Sequence, residues 1–349
     1  MATLVAMNQA DLVSPAILPA DEEIPVIDVS GVLAGAPGAV EKAAAQLRHA
    51  YEDVGFWFLA GHDVSPSLID ETFGAAERFH ALPLDVKMAL KANRHNVGYL
   101  PMRGSTTRHS NLNANNKPNL LQGFLMKRDL PADHPDVIAG KLYRSQNQWP
   151  ENLPGFRETC VAYCDAVEGL ALRMLPIYAV ALDLPPGWFA HAFTEPQYTL
   201  RLAYYPRQDV VEENEFGIAP HVDSTFMTVL AQNKVSGLSI RTRSGRWIDA
   251  PTIPGTFLIN SGELLRRWTN DRFIATPHRV INRSGRERYS IPFFFDATID
   301  YKMTCLPTCT SADNPPRYEP VSYMDYQMWF QRQNYDHIRE TNGVKVQSD

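Results

Sequence analysis

Neither lysine nor arginine occurs before Lys42, so the start of the chain lacks the positive region that opens an export or transit signal. Long apolar runs are also lacking: none approaches the roughly 18 residues that span a bilayer. Positive charge is in deficit, with a formal net charge of -6 and a sequence pI near 5.9, which argues against a nucleic-acid partner. The two local basic stretches, "RTRSGR" (241–246) and "RSGRER" (283–288), each contain Ser-Gly and read as solvated hairpin ends. Cysteine is scarce. The pairs Cys160/Cys164 and Cys305/Cys309 lack the C-x-x-C step usual in zinc sites, so buried, reduced thiols are expected. These absences together predict a cytoplasmic protein with no membrane and no nucleic-acid partner.

What the chain does have is ample core material, with 44% apolar residues over 349 positions. Residues 1–23 read as a loose leader. Residues 24–155 form an N-terminal region of helices and strands, with strands at "IPVIDVS" (24–30) and "GFWFLAG" (55–61) and an Ala-rich helix between about 38 and 51. A helix over 65–82 opens on Ser65 with Pro66 at its first helical position. The stretch 92–155 is loop-rich, least structured at "SNLNANNKPN" (110–119). Residues 156–199 supply helical support, with one long helix over about 155–181. From 200 to 300 short β-prone runs follow one another, broken by Gly, Pro and Asn, and residues 301–349 form a tail that returns to helix near 322–335. The fold class expected is mixed α and β: a double-stranded β-helix (jelly-roll) core with flanking helices.

Two H-x-D triplets occur. His134–Asp136 sits in a Pro-flanked loop and reads as turn chemistry; His221–Asp223 opens the strand-like "FMTVLAQ". If both residues lie on that strand, they share one of its faces. Downstream, "TPHRVINRSGRERYSIPFFF" (276–295) reads as strand, turn, strand, and a loop over 283–287 would put His278, Arg288 and Ser290 on one side of the hairpin. Pro292 suggests an edge or bulge in the second arm. Two imidazoles and a carboxylate form the 2-His-1-carboxylate set that suits iron(II) and leaves positions open. Zinc would use the same atoms, but the fixed cation of Arg288 and the hydroxyl of Ser290 favour a chelating dicarboxylate co-substrate over a zinc-bound hydrolytic water.

In order along the chain, "IPVIDVSG", "YEDVGFWFLAGHDVSPSLID", "LRLAYYP", "HVDSTFMTVLAQ", "PGTFLINSGELL", "TNDRFIATPHRV" and "RYSIPFFF" resemble the iron(II)/2-oxoglutarate-dependent dioxygenases, in particular their isopenicillin N synthase-like branch. The resemblance covers most of the chain. It implies iron held by His221, Asp223 and His278, with the distal carboxylate of 2-oxoglutarate on Arg288 and Ser290 and a further contact from Tyr205. Ala203 departs from the plant members, which commonly carry Asn there, so one polar contact near the co-substrate is missing. The activity implied is oxidation, by preference hydroxylation, of a C–H bond in a small molecule, using O2 and turning 2-oxoglutarate into succinate and CO2. Two other readings share these residues: a same-fold iron oxidase that omits 2-oxoglutarate, and a non-catalytic metal-binding barrel. Asn260 and Gln232 are candidates to line the site, Trp268, Phe273 and His62 read as packing, and the loops of 92–125 with the helix near 322–335 are expected to fold over the barrel mouth.

Overall fold

The computed structural model describes residues 23–108, 110, 112, 117–208 and 212–341. The expected leader up to residue 22, His109 and much of the Asn-rich 110–119 stretch lie outside the described residues.

Among the described residues, twelve strands build the two main sheets. In chain order they are β1 (Val26–Asp28), β2 (Phe56–Ala60), β3 (Gly98–Leu100), β4 (Gln122–Lys127), β5 (Pro196–Tyr205), β6 (Ile218–His221), β7 (Met227–Gln232), β8 (Leu238–Arg241), β9 (Trp247–Asp249), β10 (Phe257–Ser261), β11 (His278–Val280) and β12 (Arg288–Thr298). The larger sheet runs β1-β2-β10-β7-β12-β5-β4-β3, and the smaller β6-β11-β8-β9. Four strands of the larger sheet, β10-β7-β12-β5, lie with the smaller sheet around one cavity, as a jelly roll requires. The N-terminal strands are not a separate layer. β2 pairs with β10 and β4 with β5, so segments on both sides of the long helix feed one sheet.

Side-chain alternation explains what each face does. On β12, Tyr289, Ile291, Phe293 and Phe295 turn outward and are buried with Val167, Leu170, Met174 and Tyr178 of the helix Phe156–Ala181. Each such side chain contributes roughly 2 kcal/mol by leaving water. The intervening Arg288, Ser290, Phe294 and Asp296 turn inward to the cavity. Pro292 sits in neither an edge strand nor a bulge at that point, since β12 is paired on both sides. Its Cα partner is Leu230 on β7, while the ladder to β5 skips Ile291 and Pro292, where the ring leaves no N–H to donate. The helix Pro66–His80 starts at Pro66 as expected and buries Thr72, Ala75, Ala76, Phe79 and His80, a helical spacing. Among the described residues no helix is long and apolar enough to cross a membrane.

Candidate metal centre

His221 is the last residue of β6, and its Cα partner on β11 is His278. Facing positions of an antiparallel pair bring side chains together, and here the two ring centroids are 4.3 Å apart. Asp223 reaches them differently from the strand reading. It lies past the end of β6, in the crossing that carries the chain from the smaller sheet to β7 of the larger one. The turn at 222–226, rather than a shared strand face, points the carboxylate back at the imidazoles.

That turn is tied down at several points. Asp223 Oδ2 accepts from Thr228 Oγ1 at 2.6 Å and from Asn260 Nδ2 at 2.8 Å, and its carbonyl accepts from Glu263 N–H at 2.7 Å. Gly262 lets the next segment press close: a Cβ there would stand 2.3 Å from the Thr225 carbonyl oxygen. Oδ1 of Asp223 is then directed at the histidines, 3.6 Å from His221 Nε2 and 3.7 Å from His278 Nε2. On the far side of each ring, His221 Nδ1 lies 2.9 Å from the Ala219 carbonyl and His278 Nδ1 3.2 Å from that of Thr276. A carbonyl can only accept, so each Nδ1 carries a proton, and the neutral tautomer this selects leaves Nε2 as the lone-pair nitrogen.

One ligand atom from each of the three residues lies within 4.8 Å of the others, and no other such group of His, Cys, Asp or Glu occurs among the described residues. Burial pushes the Asp223 carboxyl up, but His278, His221 and Asn260 outweigh it and hold the group well below the usual carboxylate range. Burial and the neighbouring His221 ring push His278 down to about 4, so near neutral pH its imidazole is uncharged. One carboxylate and two imidazoles, their Nδ1 protons held by carbonyls, are the donor set a divalent iron takes, so the residues fit the metal their pattern implies.

Arg288 enters the same cavity from the opposite sheet. The expected hairpin between His278 and Arg288 does not form: β11 pairs with β6 and β8, β12 with β5 and β7. Residues 281–287 instead cross between the sheets, held where Asn282 Nδ2 donates to Pro206 O at 2.9 Å and Arg286 O at 2.8 Å. Arg288 is only 1% exposed, and neither Nε nor Nη1 has a hydrogen-bond partner. Its Nη2 is 3.5 Å from Gln232 Oε1, and the guanidinium lies 4.8 Å over the ring of Tyr205, its register partner. Ser290 is buried on the same face, between Ala203 of β5 and Gln232 of β7. A buried guanidinium with no carboxylate partner among the described residues is costly by itself, and an incoming carboxylate would satisfy it.

Other expectations resolve plainly. His134 Nδ1 accepts from Asp136 N–H at 3.1 Å and caps a short helix, so that triplet is turn chemistry. Trp268 packs edge-on to Phe189 and Phe226, Phe273 against Tyr51, and His62 stacks on Phe257. Residues Ser105–Thr107 and the helix Tyr323–Asn334 both line the cavity, and Gln327 Nε2 donates to Ser224 Oγ at 2.8 Å, fastening that helix beside Asp223. Thr228 and Gly262 escaped the sequence reading. Only the even spacing of Thr228 with Leu230 on an inward face hinted at the first, and nothing local at the second.

Residues 196–297 match the family model of the 2OG-Fe(II) oxygenase superfamily, and residues 24–152 that of the N-terminal region of non-haem dioxygenase in morphine synthesis. The chain is 36% identical over 319 residues to the 2-oxoglutarate-Fe(II) type oxidoreductase hxnY of Emericella nidulans, covering 89% of this chain and 90% of that one. Among solved structures, a protein assigned to the 2OG-Fe(II) oxygenase family from Caulobacter crescentus is 27% identical with a TM-score of 0.75, over 89% of this chain and 99% of the other. JOX2 in complex with 2OG, Fe and JA is 25% identical with a TM-score of 0.73, over 93% and 91% of the two chains.

Proposed function

This chain belongs to the 2OG-Fe(II) oxygenase superfamily, and from that premise we propose that it is an iron(II)- and 2-oxoglutarate-dependent oxygenase that oxidises, by preference hydroxylates, a C–H bond of a small molecule. One observation carries the assignment to residues: the three donor atoms of His221, Asp223 and His278 converge in the cavity that also holds the Arg288 guanidinium, whose Nε and Nη1 have no partner. Iron(II) with 2-oxoglutarate supplies the oxidising equivalent from O2, and 2-oxoglutarate leaves as succinate and CO2.

The protein's part is placement. Two backbone carbonyls fix the imidazole tautomers, and Thr228 and Asn260 hold the Asp223 carboxylate so that one oxygen remains for the metal. Arg288 takes the distal carboxylate of 2-oxoglutarate through its guanidinium, assisted by the Ser290 hydroxyl, while Tyr205 and Gln232 keep the guanidinium aimed. Ala203 stands beside Ser290 with no polar atom, so the co-substrate end of the cavity leans on Arg288 and Ser290. The helix Tyr323–Asn334 and residues Ser105–Thr107 exclude water from the opposite end, where the small molecule binds.

The test is oxygen uptake by the purified iron-loaded protein with and without 2-oxoglutarate, with succinate measured in parallel. Uptake that requires 2-oxoglutarate and yields one succinate per molecule consumed supports the proposal. Uptake indifferent to 2-oxoglutarate selects the same-fold oxidase reading instead, and a protein that binds iron yet consumes neither is a binding barrel.

A further inference from the structure

Two arginines line the cavity among the described residues, and the co-substrate accounts for one of them. The other is Arg201. It sits on the inward face of β5, opposite Leu125 of β4, in the alternation Thr199, Arg201, Ala203, Tyr205. Its Nη2 donates to Tyr335 Oη at 2.6 Å, its guanidinium lies 5.4 Å over the Phe294 ring, and its buried Nε has no hydrogen-bond partner. Elsewhere in the molecule buried and partly buried arginines meet carboxylates, as Arg128 does at Glu168, Arg144 at Asp136 and Arg266 at Glu263. Arg201 meets none among the described residues.

The two guanidiniums cannot share one short dicarboxylate. Arg288 stands over Tyr205, and Arg201 leans toward Phe294, whose partner on β5 is Thr199. Arg201 is four positions from Tyr205 on β5, about 13 Å along the strand at 3.3–3.4 Å per residue. A five-carbon diacid is far shorter. The Arg201 end does lie level with the metal centre: Thr228, which holds Asp223, is the register partner of Phe294. From β7 across β12 to β5 is two strand spacings, about 10 Å. Around this end the walls are apolar, with Leu125, Phe294 and Phe330.

We propose that Arg201 is a specificity-determining residue that takes the carboxylate of the oxidised molecule, so that the substrate class is a small aromatic or alicyclic carboxylic acid. The acid group sits against Arg201, with Tyr335 steering the guanidinium. The apolar ring fills the space between Leu125 and Phe294, and the carbon to be oxidised reaches toward the His221–Asp223–His278 centre in the same cavity. This rests on the assignment of Arg288 to 2-oxoglutarate above, and the test keeps the two apart.

The probes are benzoate, phenylacetate and 3-phenylpropanoate, each against its primary amide. Binding to iron(II)- and 2-oxoglutarate-loaded protein is measured by calorimetry without oxygen, while visible absorption reports 2-oxoglutarate on the iron. At least one acid should bind tenfold or more tighter than its amide. Arg201→Gln should abolish that preference with the 2-oxoglutarate absorption unchanged, and Arg201→Lys, which keeps the charge, should restore part of it. Acids that bind no better than amides, a preference that survives Arg201→Gln, or loss of the 2-oxoglutarate absorption in that variant overturns the assignment. A wild-type protein that shows the acid preference but never the absorption leaves Arg201 in place and contradicts the role of Arg288 instead.

Discussion

His221 and His278 face each other across the β6–β11 ladder, and each turns its Nδ1 to a carbonyl on its own strand's side and its Nε2 toward Asp223. Register thus sets the separation of the rings, and the carbonyls set which nitrogen is free. The third donor comes from a turn rather than a strand, so its position depends on what clamps that turn.

Removing the clamps should therefore weaken the metal site without unfolding the sheets. Thr228→Val and Asn260→Ala each take one hydrogen bond from Asp223 Oδ2. Each should lower iron affinity by about 10- to 100-fold, read by titration against a chelator, with thermal stability changed little. Iron affinity equal to wild type in both would mean that Asp223 holds its position by itself.

Gly262→Ala should be worse than its small volume suggests. The added carbon would meet the Thr225 backbone at 2.3 Å and 2.5 Å, and neither atom is the end of a flexible side chain. The 223–225 turn must move, so iron binding should fall at least as far as in Thr228→Val, together with a lower melting temperature. A variant that keeps both would show that the turn has room to yield.

Acid sensitivity has an identifiable source away from the metal. Burial, with Lys87 adding to it, pushes His80 down from 6.5 to about 4, although its Nε2 lies 2.9 Å from the Leu202 carbonyl. Between these values the unfolded chain binds a proton that the folded chain refuses. The His80 contribution is full above pH 6.5 and is lost as pH falls toward 4, on the order of 3 kcal/mol in all. His80→Gln can keep the bond to Leu202 without titrating. Urea unfolding at pH 7 and pH 5 should show a smaller pH-dependent loss in this variant than in wild type; an equal loss in both would move the source elsewhere.

Much of this architecture was legible in the residues. The run of short strands, the capped start at Pro66 and the long helix ending at Ala181 are local patterns, and local physics writes them. The candidate donors stood out because His, Asp, His and Arg recur beside β-prone runs. Their geometry was not legible. Periodicity tells which face a side chain takes but not which sheet its strand joins, so "HRVINRSGRERYSI" looked like a hairpin although its two arms lie in opposed sheets. Pro292 misled for the same reason: a proline is tolerated between two partners when one ladder simply skips it. Gly262 and Thr228 act through contacts more than 30 positions or one turn away, which no short motif encodes.

The central claim is that one cavity holds a metal on His221, Asp223 and His278 and a dicarboxylate on Arg288. Its most direct test is an oxygen-free titration of the iron(II)-loaded protein with 2-oxoglutarate, followed by the visible absorption that the two give together. Wild type should develop that absorption saturably. His278→Ala should not develop it at any concentration, and Arg288→Met should need about 10²- to 10³-fold more 2-oxoglutarate, as expected when a buried carboxylate loses its cation. The same curve for wild type and both variants would contradict the account.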